Sequence, residues 1–445
     1  MAVSDHNQFL LLGQRRFAPF FITQFLGALN DNIFRNGLVI LITFQGVRIL
    51  GMDAGQLANV AGALFILPFF LFSAIAGQLA DKYEKSRLIC NIKLLEICLM
   101  ILAAFAFSTQ SYIGLLALLF LMGCQSTLFS PIKYSYLPQQ LSTDELIGGN
   151  GLIESGTYMA IIFGLIIGGI AVTTDYENQI VLSSCLIGTA TFGYLASRQI
   201  PLIKLAEPNL KINWNIWTET WKIIGFARKE RSVFLSIIAI SWFWFFGSAM
   251  TIQLPAYTLD ILKGNEAITT TLLVAFAIGI GFGSLLCERM SGRRIELGLV
   301  PLGSIGLSIF AIDLFFTQPD PHAIAVNSVS EFLVRPGSWR ILIDISLLGA
   351  FGGIYSVPLY ALVQHRTTRQ HLSRVIAANN IISALFMVSS TILAFSLLAA
   401  GLSIPQFYLI LALLNILVAI YIFTLLPEFI IRFLTWSGIT RTFNR

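Results

Sequence analysis

The chain carries twelve mainly apolar runs, each close to the roughly 20 residues a helix needs to cross a bilayer core. They cover approximately residues 17–46, 56–79, 88–108, 111–131, 150–172 and 178–197, then 232–258, 267–288, 295–316, 340–363, 376–399 and 404–427. In lipid such a run must satisfy its own backbone N–H and C=O groups, and a helix does so within the segment. A transmembrane barrel would need period-two alternation, and the runs are continuous instead. The chain is 56% hydrophobic and 11% charged, whereas a soluble domain carries about 25% charged residues. The expected fold class is an all-α membrane protein with twelve transmembrane helices.

The first run is interrupted by Asn30-Asp31-Asn32-Ile33-Phe34-Arg35-Asn36. A charged side chain near the centre of a spanning helix costs at least about 2.5–3.5 kcal/mol. It has to be paired, wet or used. Asp31 and Arg35 stand four apart, so they share a helix face and can pair. Two readings stay open. In one, the pair is structural and Asn30, Asn32 and Asn36 bind helices together. In the other, the cluster lines a transport path.

Orientation follows from lysine and arginine. With the N-terminus inside, only Arg48, Lys263, Arg335 and Arg340 fall in outer loops, and Arg35 and Lys93 fall within spans. Every other one of the 28 basic residues lies on the inner side, which predicts both termini in the cytoplasm. The net charge of +5 therefore reports topology, and no nucleic-acid partner is expected. The expected organisation is a six-helix bundle over 1–197, a cytoplasmic linker over 198–231, a second six-helix bundle over 232–427 and a cytoplasmic tail over 428–445. Within the linker, Ile212 to Phe226 has helical apolar spacing and predicts an amphipathic helix on the inner leaflet.

The halves echo each other. Gly77-Gln78-Leu79-Ala80-Asp81-Lys82 through Arg87 joins spans two and three, and Gly283-Ser284-Leu285-Leu286-Cys287-Glu288 through Arg293 joins spans eight and nine. Ser130-Pro131-Ile132-Lys133-Tyr134 is matched by Ser356-Val357-Pro358-Leu359-Tyr360. Two repeated bundles predict a site near the midplane between them.

Further polar residues cluster near the inner ends of the spans in the first half: Lys93 and Glu96 on span three, Lys133 at the end of span four, and Glu154 on span five. They read either as an ion-pair network bracing an inner gate or as contacts to an anionic substrate group. Buried charges need partners in both cases. In the second half, Asp313 and Asp344 are the acids expected within spans, with Asp344 near the outer end at interfacial depth. Trp242 and Trp244 on span seven serve equally well as helix packing or as an apolar wall. His6, His322, His365 and His371 lie in terminal or loop regions, so no histidine proton relay is expected. Asp31 or Glu154 could couple transport to a proton or sodium ion. The five cysteines show no metal spacing, no nucleophile–base pair stands out, and neither a cofactor nor an enzyme is expected.

Residues 77–87 resemble the Gly-x-Leu-x-Asp-Arg-x-Gly-Arg loop of the major facilitator superfamily, with Lys82 where arginine is usual and Glu84 and Lys85 where glycine and arginine are common. The resemblance implies two pseudo-symmetric six-helix bundles, with spans one, four, seven and ten lining a cavity. It also implies a gating loop, here Gly77, Asp81 and Arg87, that stabilises the outward-open state. Five further stretches are more specific: Gln24 to Asn32, Asn91 to Glu96, Ser130 to Tyr134, Asn150 to Ser155, and Ser373 to Ile381. In that order they resemble the bacterial lysophospholipid transporters, including acyltransferase-fused members.

That family implies movement of lysophospholipids such as lysophosphatidylethanolamine across the bacterial inner membrane by alternating access, toward the inner leaflet for re-acylation. Asn30, Asp31, Asn32, Arg35, Lys93, Glu96, Lys133 and Glu154 become the candidates for headgroup contact or coupling. The residues five after each histidine are Leu11, Asn327, Gln370 and Ile376, so the His-x4-Asp motif of the fused acyltransferase is missing. The expectation is a transporter serving a separate acyltransferase. The alternative within the same fold is an exporter of drugs or siderophore-like metabolites.

Overall fold

A computed structural model of the chain describes residues 7–44, 49, 52, 54–171, 176–317, 325–326 and 328–438. Arg48, Arg441, Arg445, His6 and His322 fall outside them. Among the described residues the long regular elements are all helical. They are α1 (Ala18–Phe44), α2 (Ala54–Lys82), α3 (Lys85–Ser108), α4 (Tyr112–Gln140), α5 (Thr143–Ala171), α6 (Tyr176–Ser197), α7 (Ile216–Lys229) and α8 (Arg231–Ala256). A π-turn, Tyr257–Ile261, continues α8. Then follow α9 (Glu266–Ser291), α10 (Leu299–Phe316), α11 (Val329–Val334), α12 (Ser338–Arg366), α13 (Leu372–Ala399), α14 (Ile404–Leu425) and α15 (Glu428–Trp436).

Eleven of these are long and apolar enough to cross a membrane. The twelfth span is α1, whose 27 residues rise about 40 Å. Its Asn30–Asn36 cluster lowers its hydropathy, and Asp31 is its middle residue. The chain is thus a multi-pass helical membrane protein.

Helix boundaries follow the expected spans except around α4 and α5. The fourth span, expected to stop at Pro131, runs on through Pro131 and Pro138 to Gln140. Proline removes one N–H and so frees the carbonyl four residues earlier. For Pro138 that carbonyl is on Tyr134, and Gln364 Nε2 donates to it at 3.0 Å. Arg16 donates to the Gln140 carbonyl at 2.6 Å, and the Tyr136 ring stacks on Phe20 at 4.3 Å. Substitute donors of this kind let a spanning helix keep its prolines. α5 starts seven residues earlier than expected, with Asp144 and Glu145 in its first turn, where they complement the helix dipole.

The described residues fall into two compact units. The first contains Met1–Ser142, Met159–Glu230 and Gln364–Ala384, and the second Thr143–Tyr158, Arg231–Val363 and Leu385–Arg445. Membership therefore does not follow chain order: the first half of α5 belongs to the second unit, and the start of α13 to the first. Inside the first unit α3 and α1 pack on α6, and α2 packs on α4. Inside the second, α10 and α8 pack on α14, and α9 packs on α12. These are the same pairings six spans apart, which is the repeat seen in the sequence.

The α9–α12 contact shows how close the helices come. A Cβ on Gly353 would lie 2.5 Å from the Ile280 carbonyl and 2.7 Å from the Ser284 nitrogen, and one on Gly283 would overlap the Ala350 carbonyl. Small residues are what permit such backbone contact in a membrane. Trp242 serves packing: it is buried, and its indole N–H donates to Asn415 at 2.7 Å. Asn415 in turn donates to the Ser304 carbonyl at 2.9 Å and to Ser308 at 2.8 Å, which bolts α8, α10 and α14 together.

In the linker, α7 spans Ile216–Lys229. Asn215 caps α7 by accepting from the Thr218 N–H at 3.1 Å. Ile223 and Ala227 face inward, while Trp217 and Trp221 are exposed.

Candidate functional site

Two polar constellations stand inside the first unit. The first is a buried network joining α1, α3 and α4. Lys93 and Glu96, three apart on α3 and each 1% exposed, form an ion pair at 2.5 Å. Asn30 of α1 donates to Glu96 Oε1 at 3.0 Å, and Gln125 of α4 donates to Glu96 Oε2 at 3.0 Å. The Lys93 ammonium also lies 5.4 Å from the Phe129 ring centre. Three donors thus converge on one carboxylate, the condition under which a buried charge is tolerated.

The network continues to Asp31. The Ser126 hydroxyl lies 2.6 Å from Asp31 Oδ2 and 3.1 Å from Gln125 Oε1. It has one proton, so the shorter contact to the carboxylate takes it. The expected Asp31–Arg35 pair is not made among the described residues. Arg35 donates instead to Asn32 Oδ1 at 3.0 Å and lies 5.9 Å from the Phe65 ring centre. Asn32 spends its amide on the Ala28 carbonyl at 2.8 Å.

Two acceptors are left over. Asp31 Oδ1 and Asn30 Oδ1 are buried and have no hydrogen-bond partner. Buried acceptors without donors are costly and call for an occupant. Arg35, one turn away, adds positive charge to the same stretch. The arrangement therefore offers oxygen acceptors for a donor or cation beside a guanidinium for an anion. α5 fixes it in place: a Cβ on Gly164 would lie 2.5 Å from the Asn32 Cβ, and one on Gly168 would lie 3.0 Å from the Ile33 carbonyl.

Lys133, partly buried, lies 5.1 Å from the Tyr134 ring centre at the end of α4. Glu154 is buried on the half of α5 that belongs to the second unit.

The second constellation surrounds the α2–α3 loop. Asp81, fully buried, accepts the Ser373 N–H at 3.2 Å and Arg374 Nε at 2.9 Å. It thereby caps the first turn of α13, where an anion is favoured. Gly77 makes the approach possible, because a Cβ there would lie 2.8 Å from the Ala377 Cβ and 3.0 Å from the Arg374 Cα.

Arg374 is 2% exposed and also donates to Glu207 of the linker, to the Gln370 carbonyl at 2.8 Å and to His371 Nδ1 at 2.7 Å. Guanidinium only donates, so Nδ1 accepts and His371 is neutral. Burial, with Arg374 beside it, pulls the His371 pKa below its usual value. Phe226 of α7 stacks on His371 at 4.8 Å, and Gln78 exchanges hydrogen bonds with the Asn213 backbone at 2.8 and 3.0 Å. Arg87 is exposed and contributes its backbone N–H, at 2.7 Å, to Glu84, the N-cap of α3. The cation held by Asp81 is Arg374.

Sequence reasoning singled out Asp31, Glu96 and Asp81 but not Ser126, Gln125, Glu207 or the role of Arg374. A polar Gln-Ser pair inside the fourth apolar run was the available signal for the first two. Glu207 lies in a linker that reads as solvated, and nothing local connects it to Arg374. Among the described residues no group of three His, Cys, Asp or Glu is placed to hold a metal.

Twelve membrane-length helices, the repeated pairings and a buried charged loop define a transporter of the twelve-helix class. A model of the Major Facilitator Superfamily matches residues 20–387, and the chain belongs to that superfamily. Among curated proteins it is 27% identical over 348 residues to the lysophospholipid transporter LplT of Enterobacter sp. (strain 638), covering 77% of this chain and 78% of that one. It is 25% identical over 353 residues to LplT of Escherichia coli O157:H7, covering 78% and 79%. Among solved structures it resembles the E. coli fucose:proton symporter FucP, with TM-score 0.66, 14% identity and coverage of 92% and 98%. The human organic anion transporter TETRAN superposes with TM-score 0.66 at 11% identity, covering 95% and 99%.

Proposed function

We propose that the protein is a secondary transporter that moves lysophospholipids across the bacterial inner membrane toward the inner leaflet, by alternating access. The observation that carries the proposal is the pair of unpartnered acceptors on Asn30 and Asp31 beside Arg35, in a chain whose relatives named lysophospholipid transporter match it over more than three quarters of its length. A zwitterionic headgroup supplies what that stretch lacks. Its ammonium donates to Asp31 Oδ1 and Asn30 Oδ1, and its phosphate meets Arg35. The Lys93–Glu96 network holds α1, α3 and α4 so that these atoms stay in place.

Further parts of the reading follow from charge. The lysine and arginine distribution supports cytoplasmic termini. On that orientation the Asp81–Arg374 cluster acts at the inner side as a gate, and an acyltransferase acts on the delivered lipid. The exposed Trp217 and Trp221 suit the headgroup layer of the inner leaflet. Reconstitution into vesicles with fluorescent lysophosphatidylethanolamine in one leaflet tests the proposal. Protein-dependent movement, lost in Asp31→Asn, is expected. Movement no faster than in empty vesicles would overturn it.

A further inference from the structure

The second unit holds a polar cluster that the transport reading does not use. It gathers α10, α12 and the π-turn after α8. Arg340, in the first turn of α12, donates to Asp313 of α10 through Nε at 2.9 Å and Nη2 at 2.5 Å. Asp344, one turn further along α12 and so on the face that carries Arg340, brings its carboxyl close to that of Asp313. Asp344 is 2% exposed, and its Oδ2 has no partner. Tyr257, first residue of the π-turn, is fully buried, its hydroxyl also has no partner, and it lies within electrostatic reach of Asp344. From the sequence, Asp344 is expected near the outer end of its span, at interfacial depth. It is enclosed.

We infer that Asp313 and Asp344 form a proton-binding carboxyl pair, with Arg340 fixing the charge on Asp313 and Asp344 carrying the proton. Two neighbouring carboxyls, one of them buried, do not both ionise freely, and together they titrate as a unit. Arg340 decides which one, because its two parallel N–H groups favour an ionised partner. Asp344 then donates to Asp313, and its free Oδ2 is the acceptor available to the Tyr257 hydroxyl.

Among the described residues, Asp313 and Arg340 are the charged groups acting on Asp344. From α14, the Tyr408 ring packs on Tyr257 at 5.5 Å with its hydroxyl directed to the Met250 carbonyl at 3.4 Å. Protons have a way in, since the Arg340 and Asp313 side chains are 55% and 31% exposed. A π-turn within a spanning helix is a frequent mark of functional sites, and here it delivers the buried hydroxyl. The inference stands on the second unit alone and does not depend on the identity of the transported lipid. It places the proton-binding group outside Asp31 and Glu154, the residues the sequence suggested for coupling.

Infrared difference spectroscopy of the full chain in nanodiscs, between acidic and alkaline buffer, tests it. A protonated carboxylic-acid carbonyl band is expected at neutral pH and is lost in Asp344→Asn. Arg340→Gln alters an exposed side chain and should fold normally. In that variant the band persists to higher pH, since the cation that favours ionisation has gone. A band that survives in Asp344→Asn, or a titration unchanged in Arg340→Gln, would overturn the inference.

Discussion

Removing either partner of the Lys93–Glu96 pair should destabilise the first unit, and by unequal amounts. Breaking a buried ion pair from one side costs roughly 3–5 kcal/mol, about two to four powers of ten in the folded-to-unfolded ratio. Lys93→Met leaves the Glu96 carboxylate with Asn30 and Gln125 still donating at 3.0 Å each, so its cost falls near the lower figure. Glu96→Gln leaves an ammonium that is 1% exposed. It keeps a neutral amide oxygen, the more distant Asp31 and the Phe129 ring at 5.4 Å, a cation–π contact worth about 0.5–2 kcal/mol, but loses the carboxylate in contact with it, so the cost falls near the upper figure. Lys93→Met combined with Glu96→Gln removes both charges and keeps an acceptor for Asn30. It should recover more than half of the larger single loss. Thermal and denaturant unfolding of the purified variants in lipid micelles, analysed as a double-mutant cycle, measures this. Equal single losses that simply add would refute the account of Glu96 as the hub of the network.

Three further outcomes are expected. Gly164→Ala places a Cβ 2.5 Å from the Asn32 Cβ and should cost about 1–3 kcal/mol by melting, while Gly169→Ala, whose nearest neighbour is 3.8 Å away, should be near neutral. Asp81→Asn removes a charge-assisted bond worth roughly 1.5–3 kcal/mol, so a cysteine introduced by Ser373→Cys, at a fully buried position, should react with maleimide at least about tenfold faster in the Asp81→Asn background. The His371 pKa lies below its ordinary 6.5, so the clasped form binds its proton less readily than an opened form does. The clasp is therefore at full strength above about pH 6.5 and weakens as pH falls through the lowered value. Labelling of the Ser373→Cys protein should rise on acidification, and His371→Gln should flatten that rise.

Much of the fold is legible in the sequence because lipid enforces it. Runs of apolar residues show where helices cross, and Gly77 to Arg87 with its echo at Gly283 to Arg293 shows the repeat. What is not legible is set by long-range partners. The fourth run reads as ending at Pro131, yet α4 continues through Pro138 to Gln140, and Gln364, 230 residues beyond Tyr134, supplies the donor that Pro138 removes from the Tyr134 carbonyl. Asp31 and Arg35 have ideal spacing for a pair, but Ser126 and Asn32 engage them instead. Arg87 looks like the basic partner of the gating loop by proximity in sequence, whereas Asp81 holds Arg374, 293 residues away. Helical spacing defines which groups can meet along one helix. It says nothing about a competing donor on the next one.

The most direct test of the central claim is the rate at which lysophosphatidylethanolamine crosses the bilayer of vesicles holding the purified protein, compared with Asp31→Asn incorporated at the same density. The account predicts protein-dependent translocation that falls at least about tenfold in the variant, the cost of losing one charged hydrogen bond to the headgroup. An Asp31→Asn rate equal to that of the unaltered protein would contradict headgroup recognition at the Asn30–Asp31 acceptors, and the absence of any translocation above empty vesicles would contradict the substrate.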